Sequence, residues 1–403
     1  MMFSSLRGRL RTSLGSGKML PGLAISSSVL LYALHFFVGG GQARLIKDSY
    51  NYLSMSQGEL PGTPFNTRIV GPLMARVIAD IAGTSHHTAF QILTFLSIVV
   101  TLLVLRKLIS EQGGSPEWQA AVLLTLGCGL AATFGYIPVM ADPLLLLVAC
   151  CTLLALHRGQ LAFAIGLAAL AALTKEYGVL LGLPVSVVAY RRGRRSVALI
   201  AAVLPMFSLL CATLQPADSS GIGFQSWGSF TIAMFGYHSS LFKLRGPSEY
   251  PKLLYMWSWS VLWPCLAIAF GIVLSRLRNR DKLGDHEISF LVILAALPIL
   301  LLGDWGRSLL IAVPFGCVVA TKHTLSTSNR FAALLAVGGL STALARPFHS
   351  DPLPPKALTL TMIVISAASS ILIGIKVLRL SPSGSSESFQ QGLDNPTSEA
   401  VAR

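Results

Sequence analysis

Few side chains in this sequence have types and positions suited to chemistry, and most of them stand near the ends of apolar stretches. They are Asp48, Tyr50 and Arg68 in the first long polar interval, Asp142, the adjacent Lys175 and Glu176, and the pair Asp304 and Arg307. A lone carboxylate facing several cations suits transfer of a group from a lipid-phosphate donor. Guanidinium and ammonium groups hold the phosphate that leaves, and the carboxylate takes the proton of an acceptor hydroxyl as that hydroxyl attacks. One displacement with no second nucleophile inverts the reacting centre. Asp48 is the candidate base. Arg68, Lys175, Glu176, Arg307, Tyr50, Asp142 and Asp304 are the candidates for substrate and donor-phosphate contact.

These residues need a scaffold, and composition says what surrounds it. The chain has 403 residues, 53% hydrophobic and 12% charged, with a mean hydropathy of +0.66. Charged residues make up about a quarter of a soluble domain, so the expectation is an all-α polytopic membrane protein of roughly 10–12 transmembrane helices. The net charge of +14 would suggest a nucleic-acid partner in a soluble protein. Here the basic residues cluster in short runs between apolar spans: Arg7 to Lys18, Arg106 and Lys107, Arg191 to Arg195, Arg276 to Lys282, and Lys376 with Arg379. Such runs mark the cytoplasmic side, and no nucleic acid is expected. The six Cys all lie inside apolar runs without metal-ligand spacing, which fits packing.

The chain then reads in order. A first uncleaved span covers Leu20 to about Val38, and an outer loop, 41–87, carries Asp48 and Arg68. From Arg68 to Ala82 apolar residues recur at helical spacing opposite Arg76 and Asp80, which predicts a helix lying in the interface. Spans follow at Thr88 to Ile109, Gln119 to Tyr136 and Pro138 to Leu156. Gln160 to Tyr190 lies between two basic markers yet offers about 30 residues, where two full passes need roughly 40. It reads as a short hairpin whose centre, Thr174-Lys175-Glu176-Tyr177-Gly178, brings charges to membrane depth. A second short hairpin, Ile288 to Thr321, is built around Gly303-Asp304-Trp305-Gly306-Arg307, and paired interrupted segments of this kind point to a site. Between the hairpins a span from about Val197 to Leu214 leads to outer loop 215–256, and Trp257 to Ser275 returns. Two last spans flank outer loop 346–356. Residues 1–380 thus form one multi-span domain, and 381–403, rich in Ser, Gly and Gln, read as a disordered cytoplasmic tail. All the unusual charges fall on the outer side, with both termini inside.

Several of these residues together resemble a known family. Asp48-x-Tyr50, Pro64-Phe65-x-x-Arg68 followed by Pro72, Ala141-Asp142-Pro143, Leu173-Thr174-Lys175-Glu176 and Asp304-Trp305-Gly306-Arg307 look like bacterial members of the GT-C superfamily. These are integral membrane glycosyltransferases related to the polyprenyl-phosphate-sugar-dependent mannosyl- and arabinosyltransferases. The resemblance covers most of the chain in order and topology, through short motifs. It implies a catalytic Asp in the first outer loop, here Asp48, and inverting transfer from a polyprenyl-phosphate sugar to a glycan or glycolipid acceptor. It places the protein in the bacterial inner membrane with the site facing the periplasm. Many members carry two acidic residues separated by one, whereas Ser49 and Tyr50 follow Asp48 here. No paired acidic motif supports a divalent metal, and no cofactor is expected.

Each candidate also has a structural use. Asp48 and Asp142 suit helix caps, Arg68 can anchor an interfacial helix, and Lys175 and Glu176 can pair with each other, as can Asp304 and Arg307. His86 and His87 read as interfacial residues at a helix start. Two other functions use similar parts. A transporter or flippase of lipid-linked sugars builds sites from interrupted hairpins, but it places charges near the midplane and shows internal repeats. A polysaccharide polymerase or lipid-glycan ligase relies on a large late outer loop, where Arg245 and His238 stand.

Overall fold

The structure, a computed structural model, describes residues 19–38, 47–59, 61, 65–135, 138–213, 263–300, 309–323 and 368. All the regular structure in these residues is helical, with no strand among them, as the sequence predicts. In chain order the helices are α1 (Leu20–Val38), α2 (Lys47–Gln57), α3 (Val70–Ala82), α4 (His86–Glu111), α5 (Pro116–Phe134) and α6 (Asp142–His157). They continue with α7 (Leu161–Thr174), α8 (Gly182–Arg191), α9 (Arg195–Thr213), α10 (Trp263–Arg278), α11 (Asp285–Leu300) and α12 (Val313–His323). Asp304, Arg307, outer loops 215–256 and 346–356, the last two expected spans and the C-terminal tail lie outside the described residues.

Local chemistry sets where the helices start and stop. The Ser85 and Ser115 side chains accept from the backbone N–H of Thr88 and Trp118, at 3.1 and 3.2 Å, capping α4 and α5. Pro116 occupies the first helical position, where its missing N–H costs nothing. Tight turns of a few residues then reverse the chain after α4, α6 and α8, and Gly113, Gly159 and Gly193 supply the positive φ they need. Antiparallel neighbours follow from turns this short: α4 packs on α5, α6 on α7 and α8 on α9. Close approach needs small residues. At the α1 to α5 contact a methyl at Gly127 would run into Ser28, so glycine is required where these helices meet. The core gathers Phe90, Leu102, Leu123, Leu145, Phe290 and Phe315 from α4, α5, α6, α11 and α12.

Large apolar side chains also face outward. Leu199, Ile200, Val203, Met206 and Phe207 on α9 are exposed, as are Leu96, Val100 and Leu103 on α4. The helices His86–Glu111 and Arg195–Ala212 are long and apolar enough to cross a membrane. Leu20–Ala33, Asp142–His157 and Leu161–Thr174 are shorter apolar helices. On α3 the small residues Ala75 and Ala79 pack inward while Leu73, Met74, Val77 and Ile81 point out. One expected boundary moves: the segment foreseen as helical from Pro138 becomes helical only at Asp142. Residues 138–141 form an irregular approach, because the Pro138 and Val139 carbonyls accept from the Thr94 and Ser49 hydroxyls.

The turns after α4, α6, α8 and α10 share one end of the bundle, and polar contacts tie that end together. Glu111 pairs with Arg158 at 2.9 Å, Asp285 with Arg191 and Arg192 at 3.4 and 3.3 Å, and the Trp118 indole N–H donates to Thr321 Oγ1 at 2.9 Å. Glu287, fully buried, receives Arg276 at 2.9 Å and His323 at 2.8 Å, with Lys322 at 3.7 Å. Burial pushes the Glu287 carboxyl up, but the His323 hydrogen bond and the Lys322, His323 and Arg276 charges outweigh it and hold it at about 2. Burial, then repulsion from His157 and Lys322, lowers the His286 imidazole to about 4 against weaker attraction from Glu287 and Asp285.

Both values lie below those of the unfolded chain, 6.5 for His286 and 4.5 for Glu287, so acid favours unfolding through both groups. Loss through His286 begins below its unfolded value and is complete near its folded one. Loss through Glu287 takes over below 4.5 and runs down to about 2. Thermal unfolding followed from pH 7 to pH 3 should therefore show a falling midpoint. Glu287→Gln should start lower at pH 7 and flatten the curve below the ordinary carboxylate range.

Candidate functional site

At the opposite end of the bundle the sequence breaks its helices, and four of the candidate residues meet there. Helix α7 stops at Lys175, whose backbone is extended (φ −161°, ψ 143°), and a 3-10 turn over Glu176–Leu181 leads into α8. Gly178 permits the fold-back, because a methyl there would run into the Ala171 carbonyl. The break sends two neighbouring charges in different directions.

Lys175 reaches the start of α6. Its Nζ lies 2.6 Å from Asp142 Oδ1, with the two side chains 1% and 0% exposed, and stands 4.6 Å from the Tyr177 ring centroid. Glu176 reaches the first polar interval. Arg68 Nε donates to its Oε2 at 2.7 Å and Arg68 Nη2 to its Oε1 at 2.6 Å, the two-pronged geometry that suits a guanidinium and a carboxylate. The third prong, Arg68 Nη1, donates to the Tyr52 hydroxyl at 2.8 Å. Arg68 is delivered by a 3-10 turn, Phe65–Thr67, and its guanidinium lies 4.6 Å from the Phe65 ring centroid. Tyr52 meets that ring edge-on, with centroids 5.8 Å apart.

Two structural readings are corrected. Lys175 and Glu176 do not pair only with each other, since each has a partner distant in the same chain, 33 and 108 residues away in sequence. Asp142 does not cap its helix: Ala141 holds the cap position without a side-chain bond, and Asp142 turns to Lys175.

Asp48 is half-buried in the first turn of α2, where a negative charge favours the helix. It lies inside that turn and does not precede it as a cap. Tyr52 follows it by one helical turn on the same face, so the helix bearing Asp48 is fastened to Arg68 through Tyr52. Ser49 fastens it again, donating to the Val139 carbonyl at 3.1 Å. Tyr50 is 59% exposed on another face and does not join the cluster. Asp304 and Arg307 lie outside the described residues. Sequence reasoning missed Tyr52, Phe65 and Tyr177 as partners of the charges. Tyr52 stands four residues after Asp48, a helical spacing that signals a shared face.

The cluster balances two cations with two carboxylates, all of them buried. Its chemistry is positional: it locks α2, the Arg68 turn, the start of α6 and the α7 to α8 break into one rigid floor. Among the described residues no three His, Cys, Asp or Glu side chains converge as a metal cage. Comparisons with known protein families, curated proteins and solved structures find no match for the chain.

Two outcomes check this arrangement. Removing one member of a buried ion pair costs about 3–5 kcal/mol, because the other charge is left alone, whereas replacing both with apolar residues is close to neutral. Asp142→Leu should therefore lower the unfolding midpoint of detergent-purified protein sharply, and Asp142→Leu with Lys175→Met should restore most of it. Gly178→Ala should destabilise by about 1–3 kcal/mol, the usual cost of overpacking, read in the same thermal assay.

Proposed function

We propose that this chain is a polytopic membrane glycosyltransferase of GT-C type. It transfers a sugar, with inversion, from a polyprenyl-phosphate donor to a glycan or glycolipid acceptor at the extracytoplasmic face of a bacterial inner membrane. The observation that carries this reading is the convergence of Arg68, Asp142, Lys175 and Glu176, from three distant segments, into one buried network fastened to the helix that bears Asp48. It stands at the end of the bundle opposite the turns rich in Arg and Lys, as an outward-facing site requires. The outward apolar faces of α4 and α9 support residence in a bilayer, with roughly 10–12 spans in all.

In the proposed reaction Asp48 takes the proton of the acceptor hydroxyl. The acceptor oxygen bonds to the anomeric carbon as the bond from that carbon to the phosphate oxygen breaks. The polyprenyl phosphate leaves with the electron pair. Arg307 supplies positive charge to the phosphate, and the buried pairs of Arg68 with Glu176 and of Lys175 with Asp142 fix the floor beneath the base. Tyr52 and Ser49 hold the base still, which matters because a base acts only within hydrogen-bond reach of its proton.

The test uses purified wild type and Asp48→Asn with radiolabelled polyprenyl-phosphate sugars and a crude glycolipid acceptor fraction. Wild type should transfer label, and Asp48→Asn should fold and insert normally while losing about 10²- to 10⁴-fold in rate, the usual worth of a general base. Full activity in Asp48→Asn overturns the assignment of the base. A wild type that moves the lipid across the bilayer and transfers nothing is a flippase.

A further inference from the structure

At the basic end of the bundle, the turn between α6 and α7 and the turn between α8 and α9 leave a groove of about 630 Å³. Gly159, Gln160, Leu161, Ala162, Phe163 and Arg194 line it. Its polar mouth is positive. Arg194 is exposed and has no carboxylate partner among the described residues, whereas its neighbours Arg191 and Arg192 are both drawn to Asp285. The Arg192 guanidinium lies close by, with Nη1 3.5 Å from where a Gly159 Cβ would stand. Helix α7 opens onto the groove without a side-chain cap, so its first-turn amides add to the positive field.

The α7 side of the groove carries an apolar, outward-facing side chain, and exposed apolar residues continue beyond it on α9. Phe163, one of the lining residues, is 60% exposed on α7, and Leu199 and Val203 on the packed neighbour α9 are 66% and 51% exposed one turn apart. Phe163 and Leu170 share one face of α7, seven residues apart. A free anion uses only the positive mouth. A molecule with a phosphate at one end and hydrocarbon at the other can use the positive mouth together with Phe163 and the apolar surface beyond it.

We infer that this groove is a binding site for an anionic phospholipid of the inner leaflet, with its headgroup phosphate at Arg194 and the start of α7, and its acyl chains along Phe163 and the exposed face of α9. The site rests on the membrane reading of the chain and is independent of the transfer reaction, since it lies at the end opposite Asp48.

The experiment is native mass spectrometry of the full chain in mild detergent, incubated with equal amounts of dioleoyl phosphatidylglycerol and dioleoyl phosphatidylcholine. Phosphatidylglycerol adducts should predominate. Arg194→Gln should cut them about fivefold, the worth of one arginine near an anionic lipid surface, and Phe163→Ala should shorten the retention of both lipids. Arg106→Gln, an exposed cation away from the groove, should leave the adducts unchanged. Equal losses from Arg106→Gln and Arg194→Gln, or no preference between the lipids, overturn the site. So does complete displacement by inorganic phosphate with no effect of Phe163→Ala, which would mark a free-anion site. Release of the chain from membranes by alkaline carbonate would overturn the membrane reading itself, separately from any transfer assay.

Discussion

The constraint on which the rest depends is the burial of two opposite charges side by side at Lys175 and Glu176. A charge removed from water must be matched where it lies, by a partner with suitable geometry. The chain meets that demand by bringing Arg68 and Asp142 to the same place, and doing so fixes the position of three other segments. The Arg68 turn must pack under α2, the irregular stretch before α6 must end where Asp142 can meet Lys175, and α7 must stop one residue before the pair. The ion pairs add little net stability, since desolvation offsets their attraction, but they specify which arrangement of helices is allowed.

Around that floor the bundle has two chemically different ends. One is crowded with exposed arginines and a few carboxylates that clasp the turns together. The other buries Arg68, Asp142, Lys175 and Glu176 in balanced pairs. Alternating helix direction produces this separation without further devices, because every second connection returns to the same level.

Much of the architecture was legible in the sequence. The long apolar runs between basic clusters located α1, α4, α5, α7, α8 and α9 within a few residues, and the shortness of 160–190 with Lys175 and Glu176 at its centre pointed to a broken hairpin. The pairing could not be read. Whether Glu176 meets Lys175 or a residue 108 positions earlier depends on how the helices pack, and nothing local records that. Asp142 illustrates the same limit, since Asp before Pro at a helix start suits a cap by local preference, and a tertiary partner overrode it. Tyr52 was passed over because a tyrosine in an amphipathic stretch is usually packing, and only the approach of Arg68 gives its hydroxyl a role.

The spacing of the paired residues also bears on how the protein is made. Chains emerge from the ribosome N-terminus first, so Arg68 and Asp142 are synthesised well before Lys175 and Glu176 follow them. During that interval the partners that Arg68 and Asp142 hold in the finished fold have not yet been made. A single dipeptide, whose lysine follows Asp142 by 33 residues, thus ties the N-terminal segments together.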